Sequence, residues 1–286
     1  MSSPSNFDPA AYKATTHKQW DNAAEAWHRW SPTLEDWLGN ATELMLDLAS
    51  IGPGSRVLDV AAGAGGQTVA AARRAGPTGS VLATDISLEI LQYAKATAAG
   101  LGLENVEILQ ADGETLGLPS SFDAAISRVG LIYFPDRGKA LAGIRASLKP
   151  GGRFATITYS TPENNRFFSI PIGIVRQRAN LPPPLPGQPG PFSLGTDGVL
   201  EGALEQAGFV QIEVHKVDSP LKMHSVAEYV RFARESFGAL HQMMSSLSEA
   251  ERADTWLEIE EKLGPFETSH GFEGPCELLV GVGANP

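Results

Sequence analysis

Val57-Leu58-Asp59-Val60-Ala61-Ala62-Gly63-Ala64-Gly65-Gly66-Gln67-Thr68 is the stretch that decides the fold. An apolar run ends in a burst of glycine and alanine, and an alanine-rich helical pattern follows. This reads as strand, tight loop, helix. A loop with almost no side chains lets its backbone lie against a ligand. The helix after it presents unpaired N–H groups and a partial positive charge. Parallel α/β sheets bind nucleotides in such a crevice, outside the carboxyl ends of their strands.

Ser80-Val81-Leu82-Ala83-Thr84-Asp85 is a second apolar run, and it ends in a carboxylate. An acid about twenty residues beyond the glycine loop is placed to accept hydrogen bonds from both ribose hydroxyls. The dinucleotide fingerprint does not fit. Counted from Gly63, its third glycine position is Thr68, and counted from Ala61 its first glycine is missing. The chain has no Tyr-x-x-x-Lys pair and no phosphate-binding G-x-x-x-x-G-K-[ST] run.

These motifs resemble those of class I S-adenosylmethionine (SAM) dependent methyltransferases, in the branch of the ubiquinone/menaquinone-biosynthesis methyltransferases. The resemblance is carried by Asp59, by the loop Ala61-x-Gly63-x-Gly65 and by Asp85, with Ala61 in place of the family's commonest first glycine. It covers roughly residues 50–160 and weakens toward the C-terminus. It implies a Rossmann-like sheet of seven mostly parallel strands, the seventh antiparallel, with helices on both faces. It implies SAM as cofactor and S-adenosylhomocysteine as product. Cofactor contacts are expected from Asp59, Ala61, Gly63, Gly65, Gln67, Asp85, Ile86, Ala111, Asp112, Gly113 and Arg128. In the family an acid at the place of Asp112 accepts from the adenine amino group, and the next backbone N–H meets a ring nitrogen. A carboxylate beside an N–H complements that edge of adenine.

Upstream, residues 1–11 read as irregular and residues 12–49 as helical and rich in tryptophan. Trp20, Trp27 and Trp30 stand seven and then three apart, so they share one helical face. That face either packs on the core or covers the cofactor and acceptor. In the resembling family an N-terminal helical segment covers the site, so residues 1–50 are expected to form a helical lid over a SAM-binding domain of residues 51–286. Trp20, Trp27, Trp30, Tyr133, Tyr159 and Phe167 are the expected acceptor-side residues. Aromatic rings suit a flat or apolar acceptor and a cationic sulfonium alike. His28, beside Trp27, is the weak candidate for a general base, against an ordinary surface role. Arg128 reads either as a contact to the cofactor's methionine end or a substrate acid, or as the partner of a surface carboxylate.

Downstream, Val106-Glu107-Ile108-Leu109-Gln110 alternates as a third strand, the segment from Ser121 to Ser127 reads as a fourth, and Arg153 to Tyr159 as a fifth, after the Pro150-Gly151-Gly152 turn. Residues 164–180 read as helix with Phe167 and Phe168. Residues 181–191 are too proline-rich for helix or inner strand. A helix over 196–207 and a strand over 209–217 follow. Ser225-x-x-Glu228 and Ser248-x-x-Glu251 are capping-box patterns, opening a helical insertion over about 225–266. Phe232, Phe237, Leu240, Met243 and Met244 read as its buried face. Residues 276–282 form the last strand, with Cys276 as an inert buried thiol.

Composition narrows the partners. Thirty-three acidic against 22 basic side chains leave a net charge of -11, which argues against sequence-independent nucleic-acid binding. One cysteine excludes intrachain disulfides and a multi-cysteine zinc site, and no metal-ligand cluster is expected. No signal-peptide pattern and no membrane-length apolar run are read, so a cytoplasmic protein acting on a small-molecule acceptor is expected. The mechanism expected is direct in-line displacement at the sulfonium methyl, with the protein supplying placement and exclusion of water. Three other readings stay open: a nicotinamide-dependent oxidoreductase, a non-catalytic SAM-binding regulator, and a methyltransferase acting on a nucleic acid, which the net acidity disfavours, or on a protein. Oligomeric state is not legible.

Overall fold

The computed structural model describes residues 7–185 and 187–286. Two helices come first, α1 (Pro9–Arg29) and α2 (Ser31–Leu48). An alternating run follows: β1 (Arg56–Val60), α3 (Gly66–Ala75), β2 (Ser80–Asp85), α4 (Leu88–Gly100), β3 (Val106–Gln110), β4 (Phe122–Arg128), α5 (Arg137–Ser147) and β5 (Leu148–Tyr159). Then come α6 (Arg166–Arg178), α7 (Val199–Gln206), β6 (Val210–Asp218), β7 (Leu221–Met223), α8 (Val226–Ser236), α9 (Gly238–Met243), α10 (Glu249–Leu263), β8 (Glu267–Thr268), β9 (Gly271–Gly274) and β10 (Glu277–Ala284).

Seven strands form one sheet in the order β3-β2-β1-β4-β5-β10-β6. Each of β1 to β5 is parallel to its neighbour among them, and β10 runs antiparallel to both β5 and β6. The expected sheet is therefore present, with the antiparallel strand between β5 and β6. β1 is buried from Val57 to Val60, as a central strand covered on both faces must be. The chain order reverses beside β1, between β2 and β4, so the loops after β1, β2 and β4 open into one crevice. A small second sheet, β7-β9-β8, has no counterpart in the sequence reading. Its strands are two to four residues long, too short to show a period.

The N-terminal helical stretch divides at Trp30, before the Ser31-Pro32 start of α2. The two halves differ. α2 buries Leu34, Trp37, Leu38, Ala41, Met45 and Leu46 in the same apolar core as the sheet. α1 rests across α4, with Ala24 against Ala64 and Ile90, and is tied there by Ser87 Oγ donating to Asp21 at 2.6 Å. Helix α1 begins at Pro9, capped by Asp8, earlier than expected. Of the irregular start expected for residues 1–11, residues 1–6 lie outside the described residues, as does Pro186 of the proline-rich loop.

The insertion is three helices. Ser248 and Glu251 complete a reciprocal capping box at the start of α10. At α8 only one arm forms: Ser225 Oγ takes the Glu228 N–H, while the Glu228 carboxylate takes the N–H of His224. Cys276 is buried, and burial pushes its thiol pKa up, consistent with inert packing. Among the described residues no helix is long and apolar enough to cross a membrane.

Candidate functional site

The loop after β1 is a set of hydrogen bonds closed on itself. The Ala62 N–H donates to Thr84 O, and the Gly63 N–H to Asp85 Oδ2 at 3.0 Å. Gln67 Nε2 donates to Ala62 O at 2.9 Å and to Asp59 Oδ1 at 3.2 Å, and Thr68 Oγ1 donates to Asp59 Oδ2 at 2.6 Å. Asp59 is fully buried and does not line the crevice. It holds the first turn of α3 against β1, and burial raises its carboxyl pKa to about 6 against the pull of Thr68 and Gln67.

Gly65 (φ +89°) has no room for a side chain: a Cβ there would stand 2.5 Å from Ala94 Cβ and 2.8 Å from Ala94 Cα. Ala61 also takes a left-handed φ, +57°, a conformation glycine adopts without strain. This explains why glycine is the commoner residue at that place in the family. Val129, across the crevice at the end of β4, is at φ +59°, an outlier for a β-branched residue.

Asp85 ends β2 with both oxygens engaged by backbone, Gly63 N–H on one and Ser87 N–H on the other, each at 3.0 Å. Burial raises its pKa, opposed first by the bond from Ser87. Asp112 follows β3. Its Oδ1 takes the Glu114 N–H, and its Oδ2 takes Lys13 Nζ at 2.6 Å; Lys13 also bonds Glu114 at 2.7 Å. Each carboxylate oxygen keeps room for a further donor. Lys13, an α1 residue the sequence reading passed over, thus pins α1 above the crevice.

These groups line one open cavity. One end is loop backbone from 61–66, Gln67, Asp85, Ile86, Ala111, Asp112, Gly113 and Arg128. The other end is aromatic: Trp20, Trp27, Trp37, Tyr133, Tyr159, Phe168 and Phe237. The rings meet edge to face, Trp20 on Trp27 at 5.3 Å between centroids and Trp20 on Tyr133 at 5.5 Å. Burial holds both tyrosine pKa values above the usual phenol range, so at neutral pH they stay protonated.

Residues 51–180 match the family model described as a methyltransferase domain. The ubiquinone/menaquinone biosynthesis C-methyltransferase UbiE of Teredinibacter turnerae is 37% identical over 122 residues, covering 42% of this chain and 49% of that protein. This part of the chain carries a methyltransferase domain. The chain spans about half the length of the UbiE relatives it matches. Among solved structures, YcgJ of Bacillus subtilis superposes with a TM-score of 0.57 at 20% identity, over 86% of this chain and 98% of that one. The [4+2]-cyclase SpnF superposes at 0.54 and 17%, over 93% and 96%. At such identities the likeness is one of fold.

The methyltransferase domain brings together ten of the eleven expected cofactor positions along the cavity wall, Asp59 being the one that acts from behind it. Arg128 is nearly buried. Its Nη1 donates to Thr42 Oγ1 at 3.2 Å and its Nη2 lies 3.6 Å from Glu35 Oε1, both on α2. The two charges meet over the first turn of α3, where a Cβ on Gly66 would collide with both.

Three expected residues are not in the cavity. Trp30 turns the other way at the α1–α2 break, packs on Phe232 and donates Nε1 to Glu235 at 2.7 Å. Phe167 is fully buried in the core between Trp37 and Tyr229. His28 is exposed and stacks on Tyr93, 4.6 Å between ring centroids, outside the cavity. For Trp30 the reason is the helix break: a single helical face no longer runs through it, and the cavity side of α1 is set by Trp20 and Trp27. Phe237, read as core, sits at the α8–α9 corner and lines the cavity. Its neighbours in sequence carry no sign of this.

Proposed function

We propose that the chain moves a methyl group from SAM to a small aromatic or apolar acceptor by direct displacement, releasing S-adenosylhomocysteine. The observation that carries this is one cavity with a backbone-and-carboxylate end and an aromatic end. When bound, the cofactor supplies an electrophilic methyl on a sulfonium. The glycine loop offers N–H groups and the start of α3. Asp85 is the acceptor for the ribose hydroxyls, and Asp112 with the Gly113 N–H reads the adenine edge. Arg128, steadied by Thr42 and Glu35, faces the methionine carboxylate.

Helix α1 acts as cover, and α2 belongs to the core. The aromatic end excludes water and holds the acceptor against the methyl. No histidine lines the cavity among the described residues, and its two phenols stay protonated. This favours an acceptor atom that is nucleophilic without a histidine base. A cytoplasmic setting suits the acidic surface and the lone buried thiol. The rival reading is a protein that binds SAM without transferring its methyl.

Calorimetric titration with S-adenosylhomocysteine is the first test, and saturable one-to-one binding is the expected result. Absence of binding overturns the proposal. Mass spectrometry of methylated products from a panel of apolar ring acceptors separates a transferase from a silent binder.

A further inference from the structure

Five charged side chains line the main cavity among the described residues: Lys13, Glu35, Asp85, Asp112 and Arg128. Three of them are engaged. Lys13 bonds Asp112 and Glu114, and both Asp85 oxygens hold backbone N–H groups. Arg128 and Glu35 are left over. The Arg128 side chain is 7% exposed, and among the described residues its one side-chain hydrogen bond runs from Nη1 to Thr42. The Glu35 carboxylate makes no hydrogen bond among them. Its Oε1 lies 3.6 Å from Arg128 Nη2, beyond hydrogen-bond reach. A guanidinium has five N–H donors and a carboxylate about four acceptor positions, so most of the capacity of each is untaken.

A glycine makes room for the pair. Gly66 opens α3, and a Cβ on it would collide with Glu35 Oε1 and stand 2.6 Å from Arg128 Nη2. Both groups therefore lie on the backbone where the glycine loop becomes helix, a helix start that no side chain caps. A lone anion there would suit Arg128 and the helix start, but Glu35 would repel it. A lone cation would suit Glu35, but Arg128 and the helix start would repel it. A group with both charges on one carbon satisfies both side chains at once. An α-amino acid in its zwitterionic form is such a group.

We infer that Glu35 binds the α-ammonium of the cofactor's methionine end while Arg128 takes its carboxylate, so that the two side chains read this end as a zwitterion. The inference rests on the cofactor reading of the main cavity. Binding exchanges one long ion pair for two hydrogen-bonded ones. One consequence is selection, because an adenosyl thioether without the amino acid leaves both charges unmet. Another is independence from the cover. Glu35 stands on α2, which is packed in the core, so this contact does not wait for α1.

The test is calorimetric titration of the full chain with three ligands. They are S-adenosylhomocysteine, its analogue with hydrogen in place of the amino group, and 5′-methylthioadenosine, which lacks the whole amino acid. Wild type should bind the deaminated analogue about tenfold more weakly than S-adenosylhomocysteine, the loss of one charge-assisted hydrogen bond at a part-exposed site. Glu35→Gln should weaken S-adenosylhomocysteine by a similar factor of about ten. The same variant should bind the deaminated analogue at least as tightly as wild type does, since no ammonium is present to miss the charge. Its affinity for 5′-methylthioadenosine should stay within about twofold of wild type, which also reports that it is folded. Unchanged affinity of Glu35→Gln for S-adenosylhomocysteine, or an equal loss for all three ligands, overturns the role of Glu35. If wild type binds neither S-adenosylhomocysteine nor 5′-methylthioadenosine, the cofactor reading itself falls.

Discussion

The two ends of the main cavity are built by different means. The end assigned to the cofactor comes almost entirely from one stretch, residues 59–130, in which each strand delivers a loop to the same crevice. Its working groups are backbone N–H groups and carboxylates fixed by backbone. The aromatic end is assembled from Trp20, Trp27, Trp37, Tyr159, Phe168 and Phe237, on five separate parts of the chain. Its geometry depends on how helices dock on one another. A backbone-built end keeps its shape while surface side chains drift. An end built of docked side chains changes with each one, and on the proposed function this is where acceptor choice would reside.

The contrast is breakable, and the largest effect is expected at Asp85. Asp85→Ala removes a buried carboxylate, the partner of the Gly63 N–H and the proposed acceptor for the ribose hydroxyls. Two charge-assisted hydrogen bonds at about 2 kcal/mol each predict S-adenosylhomocysteine binding about a thousandfold weaker by calorimetry. Unchanged affinity would detach this end from the cofactor.

Asp59 sharpens the same end through stability. Its folded pKa is raised to about 6 by burial. Below the unfolded value near 4 both states are protonated and the group contributes nothing. As pH rises from about 4 to about 6 the unfolded chain releases this proton while the folded site still holds it, so stability is lost, and above about 6 the folded state carries a buried charge. The penalty is about 3 kcal/mol by linkage. Asn fits the same place, its carbonyl oxygen toward Gln67 and its amide toward Thr68 Oγ1. Urea unfolding at pH 4 and pH 7 should therefore show Asp59→Asn gaining about 3 kcal/mol on wild type across that interval. Parallel pH dependence in the two proteins would refute the buried charge.

At the aromatic end, Trp27→Leu removes an indole that lines the cavity. Apparent affinity for an apolar ring acceptor should fall about tenfold, within the range for truncating a central aromatic, while S-adenosylhomocysteine affinity holds. An equal loss for both ligands would show that the two ends are one site. The smallest effect is expected at His28, which is exposed and stacked on Tyr93. His28→Ala should leave the pH profile of methyl transfer unchanged once an acceptor is in hand. A lost alkaline or acidic limb would restore it as a base.

Much of the sheet was legible because its signals are local. Ser80 to Asp85 and Val106 to Gln110 were read with the boundaries the structure has, each an apolar or alternating run closed by a turn. The glycine loop was legible because close backbone contact admits few residue types, as the Gly65–Ala94 contact demonstrates. Asp59 was placed correctly on β1 yet assigned to the cofactor, because sequence does not distinguish a carboxylate at the rim from one turned into the protein. Phe167 was misplaced for the same reason, its ring being turned into the core between Trp37 and Tyr229; Trp30 was misplaced for another. Helical spacing puts residues on one face only while the helix continues, and α1 stops at Arg29.

By itself the sequence determined the parallel sheet, the loop after β1 and the acids after β2 and β3, because hydrophobic period and glycine placement act between near neighbours. Only the tertiary structure decided which aromatic rings face the cavity, that Lys13 reaches Asp112, and that Glu35 and Thr42 meet Arg128. Those contacts join residues up to 99 positions apart. They depend on how α1 and α2 come to rest on the sheet, a matter of three-dimensional packing that local pattern does not encode.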